Sequence, residues 1–203
     1  MPSDASVSLL VTQFLATPAL EWIAVLSGLA YLLLAIRQSI WCWPCAFLST
    51  SVYVYLYGDV RLYMESALNA FYLVMAVYGF WFWHRGGPRT STARVRTLHW
   101  RWHLLALVLI GLLIFMSGTL LQRYTNQANP FVDAATSWSA VWATWLTARK
   151  ILENWWYWLV IDIVSVGLFA HRGLVLTALL FVLYVVLIPF GYRQWRRSMS
   201  TPA

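Results

Sequence analysis

Apolar residues run in long blocks along this chain, separated by short polar stretches, and they do not alternate with period two. A helix needs about 20 mainly apolar residues to cross the hydrocarbon of a bilayer, whereas barrel strands show alternation over about ten. The blocks predict seven transmembrane helices over 19–36, 41–58, 62–83, 104–121, 133–148, 154–170 and 173–192. The same continuity excludes a strand-based barrel. The apolar run at 7–17 is too short to span and predicts an interfacial helix. No basic region precedes that run, and Thr12 and Gln13 interrupt it, so no cleavable signal peptide is expected.

Composition agrees with the pattern. Hydrophobic residues make up 61% and charged residues 10% of the chain, against about 25% charged in soluble domains. The formal net charge of +7 raises the question of nucleic acid. Topology explains it better. Arg37, Arg85, Arg89, Arg94, Arg96, Arg101, Arg149, Lys150, Arg193, Arg196 and Arg197 fall in one alternate set of connections, eleven of the fourteen basic residues. Arg61, Arg123 and Arg172 fall in the other. Basic connections stay in the cytoplasm, so the N-terminus is expected outside and the C-terminus inside. No nucleic-acid partner is expected. Trp81, Trp83, Trp100, Trp102, Trp155, Trp156 and Trp195 lie near the basic ends of the spans and predict an aromatic belt at the interface.

The chain also repeats itself. A shift of 112 residues, without a gap, sets Arg37 on Arg149, Trp43 on Trp155 and Tyr72 on Tyr184. It also sets Gly79 on Gly191, Trp83 on Trp195 and Arg85 on Arg197. Apolar composition alone yields Leu and Val matches, but not Arg, Trp, Tyr and Gly in register. The repeats are expected over 19–85 and 133–197, three helices each, within a single membrane domain spanning 1–203. A three-helix unit ends on the side opposite its start, so the extra helix at 104–121 restores direction and makes the repeats parallel. The predicted fold class is an all-α integral membrane protein of seven transmembrane helices, in a 3+1+3 arrangement. Parallel repeats of this kind hold a substrate between them near the midplane.

Ionisable groups at membrane depth are functional candidates. Asp162 lies about eight residues into the sixth span, roughly 12 Å deep at 1.5 Å per residue. Trp155, Trp158 and Asp162 are spaced i, i+3, i+7 and share one helix face. An aromatic wall beside a carboxylate suits a flat cationic ring. The competing reading is that Asp162 pairs with a neighbouring helix and only holds the bundle together. Glu65, Asn69 and Tyr72 are spaced i, i+4, i+7 on the third span, and Ser139 joins the hydroxyl residues of the fifth. Interhelical hydrogen bonding and close packing are the plain alternatives for these.

Both cysteines of the chain sit in "WCWPC", as Cys42 and Cys45. That spacing serves thiol–disulfide catalysts and metal sites. A membrane thiol oxidoreductase needs a further electron carrier, and its disulfide chemistry would sit in a reducing compartment here. It is kept as a remote alternative. A structural scaffold would explain the helices but not the repeat.

Two stretches, "LYMESALNAFYLVMAVYGFWFW" and "DAATSWSAVWATWLTARKILENWWYWLVIDIVSVGLFAHRGLVLTALLFVLY", resemble the Pnu family of bacterial vitamin transporters, of which PnuC-type nicotinamide riboside transporters are the best known. The resemblance implies a SWEET-like 3+1+3 fold. It also implies facilitated diffusion across the bacterial inner membrane, with a cytoplasmic kinase trapping the vitamin. The family's W-x-x-W-x-x-x-N motif reads Trp155, Trp158 and Asp162 here, and its L-Q pair reads Leu68 and Asn69. The expected substrate is a cationic vitamin: nicotinamide riboside first, thiamine as the alternative, and neutral riboflavin third. The expected substrate-binding set is Asp162, Trp158, Trp155, Asn69, Tyr72, Ser139 and Glu65. No catalytic residue, metal or cofactor is expected, there is no G-x-x-x-x-G-K-[ST] loop, and a homo-oligomer is compatible with the chain.

Overall fold

In the computed structural model, helices form where the apolar blocks place them: α1 (Ala19–Ile36), α2 (Cys42–Asp59), α3 (Tyr63–Arg85), α4 (Trp100–Tyr124), α5 (Pro130–Ala148), α6 (Asn154–His171) and α7 (Val175–Ser200). The structure describes residues 19–59, 63–85, 94–125, 129–171 and 175–200. The helix expected at 7–17 lies outside them. α1, most of α3, α4 and most of α7 are each long and apolar enough to cross a membrane. Among the described residues α2, α5 and α6 fall short of that measure.

Helix ends follow local chemistry. Pro130 opens α5 at a position where its missing N–H costs nothing. α4 starts four residues earlier than the apolar block, because the ring of His99 caps it and accepts from the Arg101 N–H at 3.3 Å. α7 runs eight residues beyond the predicted 192. Its extension is held by Trp195, whose indole N–H donates to the Ala35 carbonyl at 2.9 Å, and by Gln38, whose amide donates to the Ser198 hydroxyl at 2.8 Å.

Within the first repeat α2 packs against both α1 and α3, and within the second α6 packs against α5 and α7. Across the boundary α3 meets α5 and α1 meets α7, the same pair exchanged by the repeat. α4 packs along α5. The turns after α1 and α5 match as well: Gln38 has φ 55° and Lys150 φ 52°, 112 residues apart. Both are left-handed positions that ordinary side chains seldom adopt.

The main core lies at the end of the bundle carrying most of the basic residues. It contains Ala35, Cys42, Trp43, Met75, Trp83, Leu152, Trp155, Ile188 and Trp195 from both repeats. Here the aromatic-belt expectation is corrected. Trp81, Trp100, Trp102 and Trp156 are exposed, but Trp83, Trp155 and Trp195 are buried, Trp195 completely. The indole of Trp43 fills the space a side chain at Gly79 would need, and Trp155 fills the space at Gly191. Trp43 meets Trp83 edge-on at 5.4 Å and 86°, and Trp155 meets Trp195 at 5.5 Å and 89°. Edge-to-face contact suits the ring quadrupoles. Trp83 donates to the Ala148 carbonyl at 3.0 Å, so each repeat gives one indole N–H to the other.

A further clasp joins the connections at this end. Arg96 donates to the Lys150 carbonyl at 3.0 Å and accepts from the Leu152 N–H at 2.9 Å. The carboxylate of Glu153 accepts from the Leu98 N–H at 3.3 Å. Lys150 itself is buried, with its ammonium 4.4 Å from the Trp83 ring, and burial lowers its pKa below the usual lysine range.

Candidate functional site

Asp162 sits midway along α6 with only 4% of its surface exposed. Its position follows from the period of the helix: Trp155, Asp162 and Ser165 are buried on one side, while Trp156, Val160 and Ile163 face outward. The carboxylate acts electrostatically on two phenols, Tyr72 of α3 and Tyr184 of α7. Those tyrosines are repeat partners, so each repeat places an equivalent phenol within electrostatic reach of Asp162. The Tyr184 hydroxyl lies 3.8 Å from where a Cβ on Gly28 would stand, and the Ser49 hydroxyl 3.2 Å from the same point. The absence of a side chain at Gly28 lets α1, α2 and α7 converge here. Ser49 donates to the Ala24 carbonyl at 2.8 Å.

The repeat partner of Asp162 is Thr50, whose hydroxyl is satisfied by the Ala46 carbonyl of its own helix at 2.8 Å. Among the described residues the pseudo-symmetric site therefore carries a carboxyl group on one side only.

Trp158 and Tyr72, with Tyr157, pack around Ala140, Ala143 and Ile161. The Trp158 indole N–H donates to the Thr147 hydroxyl at 3.2 Å. Of the expected residues, Asp162, Trp158 and Tyr72 come together. Ser139 is half-buried on α5 beside Ala140. Asn69 is half-buried on α3 and engaged by a neighbour. Glu65 lies in the first turn of α3, and its side chain is outside the described residues. Trp155 stands one turn away from Trp158, enclosed by Gly191 and Trp195.

Sequence reasoning singled out neither Ser49 nor Ser165 for this region, and it named Tyr184 only as a repeat partner. The repeat is the signal that could have found Tyr184, since Tyr72 was already a candidate. His103 was also missed: its Nδ1 lies 3.0 Å from the Tyr157 hydroxyl, and the rings stack at 5.8 Å, tying α4 to α6. Cys42 and Cys45 are free thiols, the first fully buried. Among the described residues no cluster of His, Cys, Asp or Glu is arranged to hold a metal.

Two three-helix repeats joined by a linker helix, in a chain that matches a transporter family over residues 18–197, make this a multi-pass membrane transporter, not an enzyme. Residues 18–197 match the nicotinamide mononucleotide transporter family, and the chain belongs to that family. The resemblance to the Pnu transporters is thereby established. The riboflavin/roseoflavin transporter RibM of Streptomyces davaonensis is 29% identical over 175 residues, covering 83% of this chain and 80% of that protein. The nicotinamide riboside transporter PnuC of Escherichia coli K12 is 22% identical over 204 residues, covering 88% and 85%. A crystal structure of the vitamin B3 transporter PnuC has the same fold, with a TM-score of 0.72 at 21% identity, covering 96% of this chain and 88% of that one.

Proposed function

We propose that this protein carries a cationic vitamin, nicotinamide riboside first, across the bacterial cell membrane by facilitated diffusion. The observation that carries the reading is the buried carboxylate of Asp162, the one buried acid among the described residues, with Tyr72 and Tyr184 in electrostatic reach and Trp158 one turn away on the same helix. A pyridinium ring would stack on Trp158 while Asp162 balances its charge. Trp155 backs that wall, and Asn69 and Ser139 supply polar contacts around the sugar. The basic end faces the cytoplasm under the rule that retains Lys and Arg inside, which sets the N-terminus outside. A cytoplasmic kinase would make uptake net inward by phosphorylating the vitamin. Thiamine, a thiazolium cation, satisfies the same chemistry.

A second reading is riboflavin, favoured by the 29% identity to a riboflavin transporter. Its neutral ring gains less from Asp162. The test is uptake of labelled nicotinamide riboside, thiamine and riboflavin into liposomes holding the purified protein, with no ATP and no ion gradient. Saturable entry of a cationic vitamin supports the proposal. Entry of riboflavin alone replaces it with the second reading, and entry of none of the three overturns both.

A further inference from the structure

We infer that Thr147 and Asn154 are positioning residues that hold the Trp158 indole against the substrate ring through a hydrogen-bond chain of fixed polarity. The inference rests on the proposed role of Trp158 as the stacking wall. An indole N–H can only donate, so at 3.2 Å the Thr147 hydroxyl must accept it. Asn154 is 1% exposed, and its amide orientation is set by donation to the Ile151 carbonyl at 2.6 Å. That leaves its Oδ1 turned to Thr147, 3.2 Å away. The single Thr147 proton is shared between this oxygen and the Ala143 carbonyl at 2.9 Å. In either case a lone pair stays aimed at Trp158. Ile151 is fixed in turn, donating to the Leu146 carbonyl at 2.9 Å inside the clasp that Arg96 closes. The chain thus crosses from the end of α5, through the turn, to the start of α6.

The fold does not need this chain. One repeat earlier, at a distance of 112 residues, the positions of Thr147, Asn154 and Trp158 hold Ala35, Cys42 and Ala46. The first turn is just as tight, with Gln38 at φ 55° against Lys150 at 52°. The three polar residues occur together only where an aromatic ring has to be held at the site. A stacking wall free to swing loses part of its contact, because sites depend on rotamers locked from behind.

The test measures vitamin affinity by calorimetry on the full-length protein in detergent, for whichever of the three vitamins binds. Thr147→Val keeps the shape and removes the acceptor, and affinity should fall about fivefold to tenfold, the effect of one lost buried hydrogen bond. Thr147→Ser should restore most of it. In a Trp158→Phe background, which has no N–H to place, adding Thr147→Val should change affinity less than twofold. Ligand quenching of tryptophan fluorescence should weaken in Thr147→Val and recover in Thr147→Ser. If Thr147→Val does not fold, Trp158→Phe alone must reproduce the loss. Full affinity in Thr147→Val or in Trp158→Phe, while Trp158→Ala loses binding, overturns the inference alone. An equal loss from Thr147→Val in the Trp158→Phe background also overturns it. Unchanged binding in Trp158→Ala overturns the site reading and the inference together.

Discussion

Trp83 and Trp195 meet across the boundary between the repeats, their ring centroids 6.1 Å apart and planes inclined at 61°. Each also donates its indole N–H to a carbonyl of the opposite repeat. Trp83→Phe leaves the Ala148 carbonyl without its donor, at about 1–3 kcal/mol, whereas after Trp195→Phe the Ala35 carbonyl keeps the Gln38 N–H and the cost should be about 0.5–1.5 kcal/mol. Because the rings touch, the double variant should depart from additivity by about 0.5–3 kcal/mol. Thermal unfolding of the two single variants and the double in detergent measures this. Strict additivity would mean that the rings do not couple the repeats.

Glycine substitutions separate close approach from mere helix content. Gly79→Ala and Gly191→Ala drive a methyl into the indoles of Trp43 and Trp155, and each should cost about 1–3 kcal/mol. Gly167→Ala meets nothing within 4 Å and should be neutral or stabilise by up to about 1 kcal/mol. Equal unfolding temperatures for all three would contradict the notch geometry.

Asp162→Asn keeps the shape and removes the charge. Affinity for a cationic vitamin should fall at least about tenfold, since a poorly solvated charge contact exceeds about 1.4 kcal/mol. Riboflavin affinity should change less than about threefold. Calorimetry with both ligand types reads the difference. Equal losses for neutral and cationic vitamins would remove charge recognition from Asp162.

Lys150 sets a pH dependence. Burial lowers its folded pKa, while the unfolded side chain stays charged to about 10.4. Between those values the unfolded state binds more protons, so stability should rise with pH through that window. Lys150→Met keeps contact with Trp83 and removes the penalty. Its unfolding temperature should exceed that of the wild type at neutral pH, and the gap should close towards pH 10. A gap independent of pH would argue against a penalised ammonium.

The thiols should be dispensable. Cys42 is enclosed in the core without a disulfide, and the second repeat has Asn154 in its place. Cys42→Ala with Cys45→Ala should transport at the wild-type rate. A loss of uptake beyond the loss of folded protein would reopen a redox role.

The inward face of Asp162 on α6 and the register of Tyr72 with Tyr184 were legible from spacing. So was the length of most spans to within about three residues, but α4, with 25 residues, and α7, with 26, run well past their apolar blocks. Which tryptophans go inside was not. Trp81 and Trp83 are two residues apart at the same helix end, yet one is exposed and the other buried, because only one faces the opposite repeat. The extension of α7 was hidden for a related reason. Its last turns read as polar, and the single buried Trp195 that anchors them makes sense only beside Ala35. The Thr147–Asn154–Trp158 chain was out of reach because it turns a corner between two helices. Helical periodicity relates residues along one axis and cannot join α5 to α6.

The linker helix α4 has a consequence of its own. Ala106, Ile110 and Gly118 are its buried residues, and Gly118 sits directly beneath the Phe131 ring of α5. Around them, several leucines and Val108 lie open on the outer surface. One stripe of this helix is spelled letter by letter by α5 and, at His103, by Tyr157 of α6, while the rest has only to be oily and of the right thickness. Its sequence should drift freely between species at every position except that stripe, so a comparison anchored on α4 would overstate how far two such carriers have diverged.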